Sequence, residues 1–556
     1  MSYTCIDCGK NYEFTQFEVN MLSRIAPTFN GVKYEIPASP YCPACRTRVR
    51  TSHRNEQCMY RNVSAKSGQS IISLYAPGTD LKLYSHDEWW AEDWDAMTYG
   101  RDFDFDSPKG FFEQYGELLK DVPRVALIQV ANDNCPYTTG TGYCKNCHMI
   151  SCSEHCEDCY YGKLLQTCRD VTDSSYCYDS ELLYQCFDVR KCYHCAYVYY
   201  SQNSNDCYFS ENLSGCRNCF LSTNLHGKEY YFMNQPLPKE EYKQKVAQYL
   251  GSSEGIAEAK KMFDKLRSLR VHKYVNVINC ENSTGDFLIN DKNCTNCYDV
   301  NDSEDCMNVT VGVNVKDLLD CSNMYIKCEL CYEVLGTIGV YNCLFSLFVF
   351  HSQNLIYSQF CYNSKNLFGC VGLRNKQYCI FNKQYTQEEY EKLVPRLIEH
   401  MKKIGEYGFY FPMWLSPFSY NETVAFEYEP LGREEALGKG YKWKDADARE
   451  NKPQTYVVPN RIADVPATIL SELLICDTCG KNYKIIEQEF KFLKNMNMPV
   501  PSRCPECRHF DRMSLRNNRT LWDRNCDKCS APIKSTYAAN QEEIIYCENC
   551  YQGEVY

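Results

Sequence analysis

The sequence is short of the features that mark membrane proteins, secreted proteins and common enzyme classes. Its longest strongly apolar run, residues 343–350, is far too short to cross a bilayer, and it begins Met-Ser-Tyr-Thr-Cys without a basic-then-apolar leader. It contains no P-loop, nucleophile elbow, HExxH or dinucleotide-binding fingerprint. Its ten histidines form no obvious set. We therefore expect no membrane partner, a cytoplasmic location and no enzyme of a motif-bearing class.

An excess of positive charge is also missing from the chain as a whole, because its formal net charge is -11. The charge is unevenly spread, however. Residues 1–75 hold nine Lys/Arg against five Asp/Glu, and residues 470–540 hold twelve against eight. Two locally basic ends and an acidic middle fit ends that touch polyanions, with ordinary patchiness as the open alternative.

Cysteine is abundant, with 38 in a chain of 556 residues. Secreted disulfide scaffolds of that cysteine density are usually short. Many of the cysteines here form CxxC pairs, which are too close to span a loop and well placed to share a metal ion. The composition therefore indicates a metal-binding protein of a reducing compartment, long enough for three or more domains.

The two ends carry copies of one metal-binding motif. Cys-Ile-Asp-Cys-Gly-Lys-Asn-Tyr at 5–12 and Cys-Pro-Ala-Cys-Arg at 42–46 recur as Cys-Asp-Thr-Cys-Gly-Lys-Asn-Tyr at 476–483 and Cys-Pro-Glu-Cys-Arg at 504–508. A further set follows the second copy. Two CxxC pairs supply four thiolates for a tetrahedral Zn²⁺ site, so the sequence predicts about three zinc ions. The predicted ligands are Cys5, Cys8, Cys42 and Cys45; Cys476, Cys479, Cys504 and Cys507; and Cys526, Cys529, Cys547 and Cys550.

These motifs resemble the treble-clef "probable zinc-ribbon" domain family, whose pattern runs CxxCG, a short helix, then PxxCPxCR. Residues 40–46 and 501–508 match the second part, and the first copy departs by an insertion around residues 30–35. The resemblance implies zinc rather than a reaction. The whole layout also resembles cysteine-rich proteins of candidate-phylum bacteria, and that likeness implies no activity.

The middle of the chain is a second duplication. Residues 225–242 recur as 373–390, and each copy closes a cysteine-rich block with a helix start. Within the blocks Cys159, Cys168, Cys177, Cys186 and Cys195 are nine apart, as are Cys361, Cys370 and Cys379. A fixed short period is typical of a solenoid, and nine-residue repeats build two-sided β-rolls. We predict a mainly β multidomain protein: two duplicated β-solenoid-like blocks with capping helices, flanked by treble-clef and zinc-ribbon modules.

The composition shifts place the domain boundaries. The predicted segments are a treble-clef module at 1–75, an aromatic and acidic connector at 76–132, solenoid block 1 at 133–237, a helical segment at 238–275, solenoid block 2 at 276–385, a helix and connector at 386–470, a second treble-clef module at 471–520 and a zinc ribbon at 521–556.

The central CxxC pairs allow two interpretations. They can hold zinc, or they can fill a solenoid core, where a free cysteine behaves as a small apolar side chain. We favour core filling over metal binding, and over redox chemistry, because no βαβ setting surrounds them. The pairs are Cys144/Cys147, Cys156/Cys159, Cys192/Cys195, Cys216/Cys219, Cys294/Cys297 and Cys328/Cys331.

The end modules also carry rows of arginine at helical spacing. Arg508, Arg512, Arg516 and Arg519 share one predicted helix face, and Arg46, Arg50 and Arg54 repeat the first three positions. Guanidinium rows suit phosphate contacts, and Trp522 can stack on a base. The alternative is that the arginines pair with nearby carboxylates such as Glu487, Glu489 and Asp511, or pack over the zinc motif.

Three functions follow from these patterns. The preferred hypothesis is a zinc-stabilised cytoplasmic protein whose basic helices bind RNA or a nucleoprotein such as the ribosome. The second is an assembly scaffold that binds protein partners through the solenoid blocks, with the zinc modules as caps. The third is an enzyme with a site in the solenoid groove, which would leave little linear trace.

Overall fold

The computed structural model describes residues 1–313, 315–325, 335–338, 347–350, 352–445 and 451–555. Cys328, Cys331 and residues 343–346 of the apolar run lie outside the described residues. Residues 347–350 form a strand whose side chains are not described. The chain divides into two compact units. The first unit holds residues 1–126, 275–445 and 518–521, and the second holds residues 127–274, 446–517 and 522–556.

Helices lie mainly outside the repeats. They are α1 (Gln16–Ile25), α2 (Pro43–Thr51), α3 (His86–Trp90), α4 (Phe111–Asp121), α5 (Lys239–Val246), α6 (Ser253–Leu269), α7 (Gln387–Lys403), α8 (Val424–Tyr428), α9 (Arg433–Gly438), α10 (Glu487–Asn495), α11 (Pro505–Met513) and α12 (Glu548–Val555). Among these described helices, none combines the length and the apolar character that a bilayer crossing requires.

Each unit contains one β-solenoid block, as the sequence predicts. The first block, in the second unit, has strands Gln129–Val130, Thr139–Gly142, Ser151–Glu154, Glu157–Tyr160, Lys163–Gln166, Arg169–Thr172, Ser175–Tyr178, Glu181–Tyr184, Phe187–Arg190, Tyr193–Gln202, Tyr208–Ser214, Arg217–Phe220, Thr223–His226, Glu229–Phe232 and Gln235–Pro236. The described strands of the second block, in the first unit, are Val277–Ile278, Gly285–Ile289, Cys297–Asn301, Glu304–Met307, Thr310–Val313, Lys316–Leu319, Ser322–Tyr325, Leu335–Ile338, Leu347–Phe350, Gln353–Ile356, Lys365–Phe368, Gln377–Ile380 and Lys383–Gln384.

The remaining strands are short and lie before, between and after the blocks. They are Ser2–Thr4, Asn11–Glu13, Thr28–Phe29, Val32–Lys33, Tyr60–Val63, Ser70–Ser73, Leu83–Tyr84, Arg124–Val125, Val271–Lys273, Leu474–Ile475, Asn482–Tyr483, Trp522–Asn525, Pro532–Ser535 and Ile544–Tyr546.

The solenoid turn is twelve residues long, so the two-sided nine-residue roll is wrong in its repeat length. Parallel strands pair with a shift of twelve, as in Glu157 with Arg169 and Arg169 with Glu181. Left-handed backbone recurs at every third residue; Asp158, Tyr161 and Leu164 have φ of 54°, 55° and 54°. A corner at every third residue gives four short sides per turn, each with one side chain pointing inward.

The nine-residue cysteine spacing is explained by the hydrogen bonding of the core. The thiol of Cys168 lies 3.3 Å from the carbonyl oxygens of both Gln166 and Cys177, two and nine residues away. The inward-pointing residues on one side of successive turns form an interior column. Nine residues span three of the four sides of a turn, so cysteines at this spacing lie in neighbouring columns rather than in the same one. Serines occupy the same columns, and the Ser174 hydroxyl accepts from the Cys186 amide at 3.0 Å.

The surroundings of the central CxxC pairs bear on their role in the described residues. Their cysteines are buried and pack with leucine, valine and isoleucine in one apolar core in the first block. This packing favours the core-filling interpretation there, since small side chains are needed where four short sides enclose the interior.

The carboxyl-terminal ends of the two blocks are closed by the same device. The chain reverses into an antiparallel strand, Gln235–Pro236 in one block and Lys383–Gln384 in the other. A buried or half-buried asparagine covers the last turn: Asn234 accepts from the Thr223 amide and Asn382 from the Val371 amide, both at 2.8 Å. A helix follows each reversal, α5 or α7, so neither end is left as an open sheet edge.

Candidate metal centres and the arginine rows beside them

The first metal centre joins two segments of the amino-terminal module. The sulfur atoms of Cys5, Cys8, Cys42 and Cys45 all lie within 4.8 Å of one another. The pair Cys8–Cys42 is 3.7 Å apart. Four sulfurs therefore converge on one point, although the two CxxC pairs are far apart in the chain.

A tight turn and a helix start position these four sulfurs. The Cys5 amide donates to the Lys10 carbonyl and the Gly9 amide to the Cys5 carbonyl, both at 2.9 Å. Gly9 has φ of 70°, which explains the glycine after the first CxxC. Cys42 is the N-cap of α2, and the proline after it is suited to the first helical position.

The second centre, at Cys476, Cys479, Cys504 and Cys507, repeats this construction. The Cys476 amide donates to the Lys481 carbonyl at 2.9 Å, and Gly480 has φ of 69°. Cys504 is the N-cap of α11, and its sulfur accepts from the Cys507 amide at 3.5 Å. The sulfurs of Cys479 and Cys504 are 3.7 Å apart.

The third centre has the same turn without the glycine. Ser530 takes its place with φ of 59° and donates to the Cys526 carbonyl at 2.8 Å. The sulfurs of Cys529 and Cys547 are 3.7 Å apart, and the Cys547 amide donates to the Cys526 sulfur at 3.3 Å. The second CxxC pair follows strand Ile544–Tyr546, and Cys550 lies in α12.

The spacing of the sulfurs fits zinc. A tetrahedral ion with Zn–S bonds of about 2.3 Å places its sulfur ligands about 3.8 Å apart, and one pair of sulfurs in each centre is 3.7 Å apart. The twelve predicted cysteines thus form three groups of four. The structure is compatible with about three zinc ions, one in the amino-terminal module and two near the carboxyl terminus.

In each group one thiol has a lowered pKa, whereas Cys8, Cys45, Cys504, Cys507 and Cys550 have theirs raised by burial and by neighbouring thiols. A hydrogen bond from the Cys45 thiol is the largest influence on Cys42 and lowers its pKa to about 5. Burial works against ionisation of Cys476 and Cys526, but surrounding backbone N–H groups outweigh it and lower the pKa of each to about 6. Because the thiolate is the metal ligand, Cys42, Cys476 and Cys526 are the cysteines of their groups most readily prepared for a cation.

The arginines of α11 point into the second unit. Arg508 is 3% exposed and bridges two buried carboxylates, with Nε 3.2 Å from Asp173 and Nη2 2.9 Å from Glu489. Arg512 is also buried; it lies 3.3 Å from Asp173 and donates to the Tyr161 carbonyl at 3.1 Å. Asp173 and Tyr161 are corner residues of the first solenoid block, so α11 is docked on that block.

The first unit contains the same arrangement. Arg46 is 2% exposed and bridges Glu18, at 2.7 Å, and Asp320, at 2.8 Å. Arg50 is buried and donates to the Ser322 hydroxyl at 3.0 Å. Asp320 is a solenoid corner residue like Asp173, with φ of 55° against 50°. Each of the helices α2 and α11 is thus held on its solenoid block by an arginine between two buried carboxylates.

The buried carboxylates depend on these arginines. Burial raises the pKa of Glu489 and of Asp320, and the neighbouring guanidinium groups oppose that rise. A buried carboxylate without its cation would be costly. The docking of each zinc module therefore depends on these particular arginine–carboxylate pairs.

These positions give the arginine rows internal partners, as the pairing alternative expects, and contact of the rows with nucleic acid remains an untested prediction. Arg54 is buried beside Glu56, and Arg516 lies 4.5 Å from the centre of the Tyr176 ring. Arg519 lies outside α11 and pairs with Asp299 at 2.8 Å. Buried carboxylates of the solenoid blocks and of neighbouring helices neutralise Arg46 and Arg508 inside the protein. Of the predicted nucleic-acid residues, Trp522 alone has a large exposed fraction, 44%.

Sequence reasoning named Glu489 as a pairing partner but missed Glu18, Asp173 and Asp320. Glu18 carried a usable signal, since it stands in a capping box with Thr15 at the start of α1. The two aspartates carried none, because aspartate is common at solenoid corners and only the three-dimensional docking distinguishes these two.

Comparison with known proteins adds no identity. No family model matches this chain, and no curated protein matches it. The metal centres and the solenoid blocks therefore define it as a zinc-stabilised binding or scaffold protein.

Proposed function

We propose that this protein is a cytoplasmic assembly scaffold that binds protein partners through its solenoid blocks, with treble-clef modules docked on their sides. The observation that carries the proposal is the burial of Arg46 and Arg508 between solenoid and helix carboxylates. The helix faces that would read phosphates are used for internal docking. The solenoid offers a partner a surface that this internal docking does not use.

The surface cations of the end modules support this choice. Lys481 pairs with Glu506 at 2.7 Å, Lys528 with Glu554 at 2.6 Å and Lys534 with Asp523 at 3.0 Å. Local neutralisation weakens the field that attracts a polyanion. The lysine and arginine excess of the end modules is therefore largely paired with carboxylates of the protein itself.

The solenoid, in contrast, offers a regular exposed ladder. Lys145 lies 3.4 Å from Glu157, and Arg169 lies 2.6 Å from Glu181, each pair on adjacent turns. Alternating charge at fixed spacing on a parallel sheet is a pattern that a protein partner of complementary charge can read. A reducing compartment suits the interior, where cysteines such as Cys168 donate hydrogen bonds as free thiols.

The experiment compares charge reversals on the two surfaces in the full chain. Partners are captured from native cells, and both protein and RNA are sequenced. The variant Lys145→Glu/Arg169→Glu is expected to lose proteins that the wild type retains. The matched control Lys528→Glu/Lys534→Glu, on the zinc ribbon, is expected to keep them.

Two outcomes would contradict the proposal. One is retention of every protein partner by the solenoid variant. The other is recovery of RNA by the wild type that is lost in the zinc-ribbon control, which would restore the nucleic-acid hypothesis with the exposed ribbon and Trp522 as its surface.

A further inference from the structure

The first turn of the second solenoid block has an open edge. In regular turns the amide of a corner residue donates to the preceding turn; Asn290 donates to the Ile278 carbonyl and Asn293 to the Glu281 carbonyl, both at 2.9 Å. Asn279 and Asn282 hold the corner positions of the first turn, with φ of 54° and 48°. Among the described residues of the first unit, none accepts a backbone hydrogen bond from their N–H groups.

Carbonyl groups alternate with these amides along the same edge. In regular turns an inward-pointing residue accepts from the turn before it, as the Ser303 carbonyl accepts from Lys292 at 2.9 Å. Cys280 and Ser283 occupy the inward positions of the first turn. The edge, defined by residues 278–283, therefore presents two donors and two acceptors in alternation, without partners among the described residues.

The side chains of this edge also favour an incoming strand. The Asn279 Nδ2 donates to the Asn290 Oδ1 on the next turn at 3.3 Å, and the Asn282 Nδ2 donates to the Asn293 Oδ1 on that turn at 3.5 Å. Their Oδ1 atoms are therefore left to accept from outside. Ile278 is 46% exposed beside them, which provides apolar area for contact.

The carboxyl-terminal ends of both blocks carry caps that this edge lacks, and the start of the first block carries a partial one. At the start of the first block the Gln129 side chain donates to the carbonyls of Cys135, at 2.8 Å, and Thr138, at 2.9 Å. In the second block Val277 holds the position of Gln129 in the strand register, and the Asn276 side chain donates to the Asp286 carboxylate at 3.1 Å. The Ser283 carbonyl, which corresponds to that of Cys135, therefore has no glutamine to cover it.

We propose that residues 278–283 bind an extended, asparagine-bearing segment of a partner protein, which joins the sheet as a parallel strand. Strand addition is a general mode of peptide recognition at open edges. A parallel segment with asparagine at its corners would donate from Nδ2 to the Oδ1 atoms of Asn279 and Asn282. A second copy of this edge fits less well, because its Oδ1 atoms would face these Oδ1 atoms.

This inference rests on the proposed scaffold function and names one partner surface within it. The probe is a fluorescent twelve-residue peptide with the sequence of residues 290–301 and serine at both cysteine positions. That sequence already forms a turn with asparagine at three corners, Asn290, Asn293 and Asn296. The control peptide has valine at those three positions, because a β-branched residue disfavours left-handed backbone.

Binding to the full chain is measured by fluorescence anisotropy, and hydrogen exchange of the Asn279 and Asn282 amides is followed in parallel. We expect saturable binding of the first peptide and slower exchange of both amides in the complex. Ile278→Lys, which places a charge on the edge, should weaken binding about tenfold or more. Val457→Lys, at an 87% exposed site elsewhere, should leave it within about twofold.

Absence of saturable binding up to about 1 mM peptide would overturn the proposal. So would binding that Ile278→Lys leaves unchanged, equal binding of the valine peptide, or binding without protection of the two amides. Failure here leaves the scaffold proposal standing if the Lys145→Glu/Arg169→Glu variant still loses partners, so the two failures are distinguishable.

Discussion

At the residue scale, the arginines show how one pattern serves two chemistries. A row at helical spacing beside a zinc motif fits phosphate binding, and it equally fits a helix docked on an acidic surface. The deciding residues, Asp173 and Asp320, are distant in sequence from the arginines that they bind. Helical spacing predicts that the arginines share a face, but not what that face meets.

Replacing Asp173 by asparagine tests the docking directly. Asparagine keeps the size and tolerates the left-handed backbone of the corner, so the change removes the charge alone. Because Arg508 and Arg512 would be left buried with less compensation, we expect a loss of about 3–5 kcal/mol in the local stability of α11. Hydrogen exchange of the α11 amides measures this loss.

The matched control is Lys481→Gln, which removes an exposed partner of Glu506. A surface pair contributes about 0–1 kcal/mol, so exchange in α11 should hardly change. Equal effects of the two variants would show that the buried aspartate is not what holds the helix.

His272 gives the second unit a predictable pH dependence. Its ring is buried, lies 3.0 Å from the Tyr537 hydroxyl and has its pKa lowered to about 3 by burial first and by the Arg270 charge. An unfolded histidine titrates near 6.5. The folded form therefore binds the proton less tightly, and stability that is complete above pH 6.5 is lost as the pH falls towards 3.

We expect this one group to cost about 1.4 kcal/mol per pH unit below 6.5. Urea unfolding of the second unit between pH 7.5 and 5.5 measures the slope. In His272→Phe the ring cannot be protonated, so that variant should show a smaller slope. Identical slopes in variant and wild type would exclude His272 as the source.

At the scale of elements, the solenoid was predictable in kind but not in its repeat. Regularly spaced cysteines, tight-turn residues and duplicated closing helices indicated stacked short strands. The spacing of nine was visible because cysteines recur there, whereas the turn of twelve is shared among cysteine, serine, valine and leucine. Similar small side chains in one interior column conceal the period that the hydrogen bonds follow.

The zinc modules and the solenoid should lose structure separately. In Cys504→Ser/Cys507→Ser the second centre loses two ligands, and zinc supplies most of the folding free energy of so small a module. We expect rapid hydrogen exchange in residues 476–513. The first solenoid block, which buries its own core, should stay protected.

The corresponding control, Cys186→Ser, changes a cysteine of the solenoid interior to a residue that already occupies the same columns. It should leave exchange in residues 476–513 unchanged. Loss of protection throughout both regions in the zinc-ligand variant would mean that the module and the block unfold as one cooperative element.

At the scale of the whole molecule, the chain repeats one plan. Each unit contains a solenoid block, a closing asparagine and helix, and a zinc module docked by an arginine between two carboxylates. The copies differ in their additions: the second unit carries a further metal centre, and its solenoid block begins with Gln129, where the block of the first unit has Val277. The parts that both units share therefore stabilise each unit. We expect separate functions in the parts that differ between them.

The central claim is that the twelve terminal cysteines hold metal and the interior cysteines form a core. The most direct test is the zinc content of the purified full chain, measured together with its free thiols. The account predicts about three zinc ions per chain and reduced interior cysteines. A value near six would show that the solenoid cysteines bind metal, and a value near zero with disulfides would contradict both the metal centres and the reducing compartment.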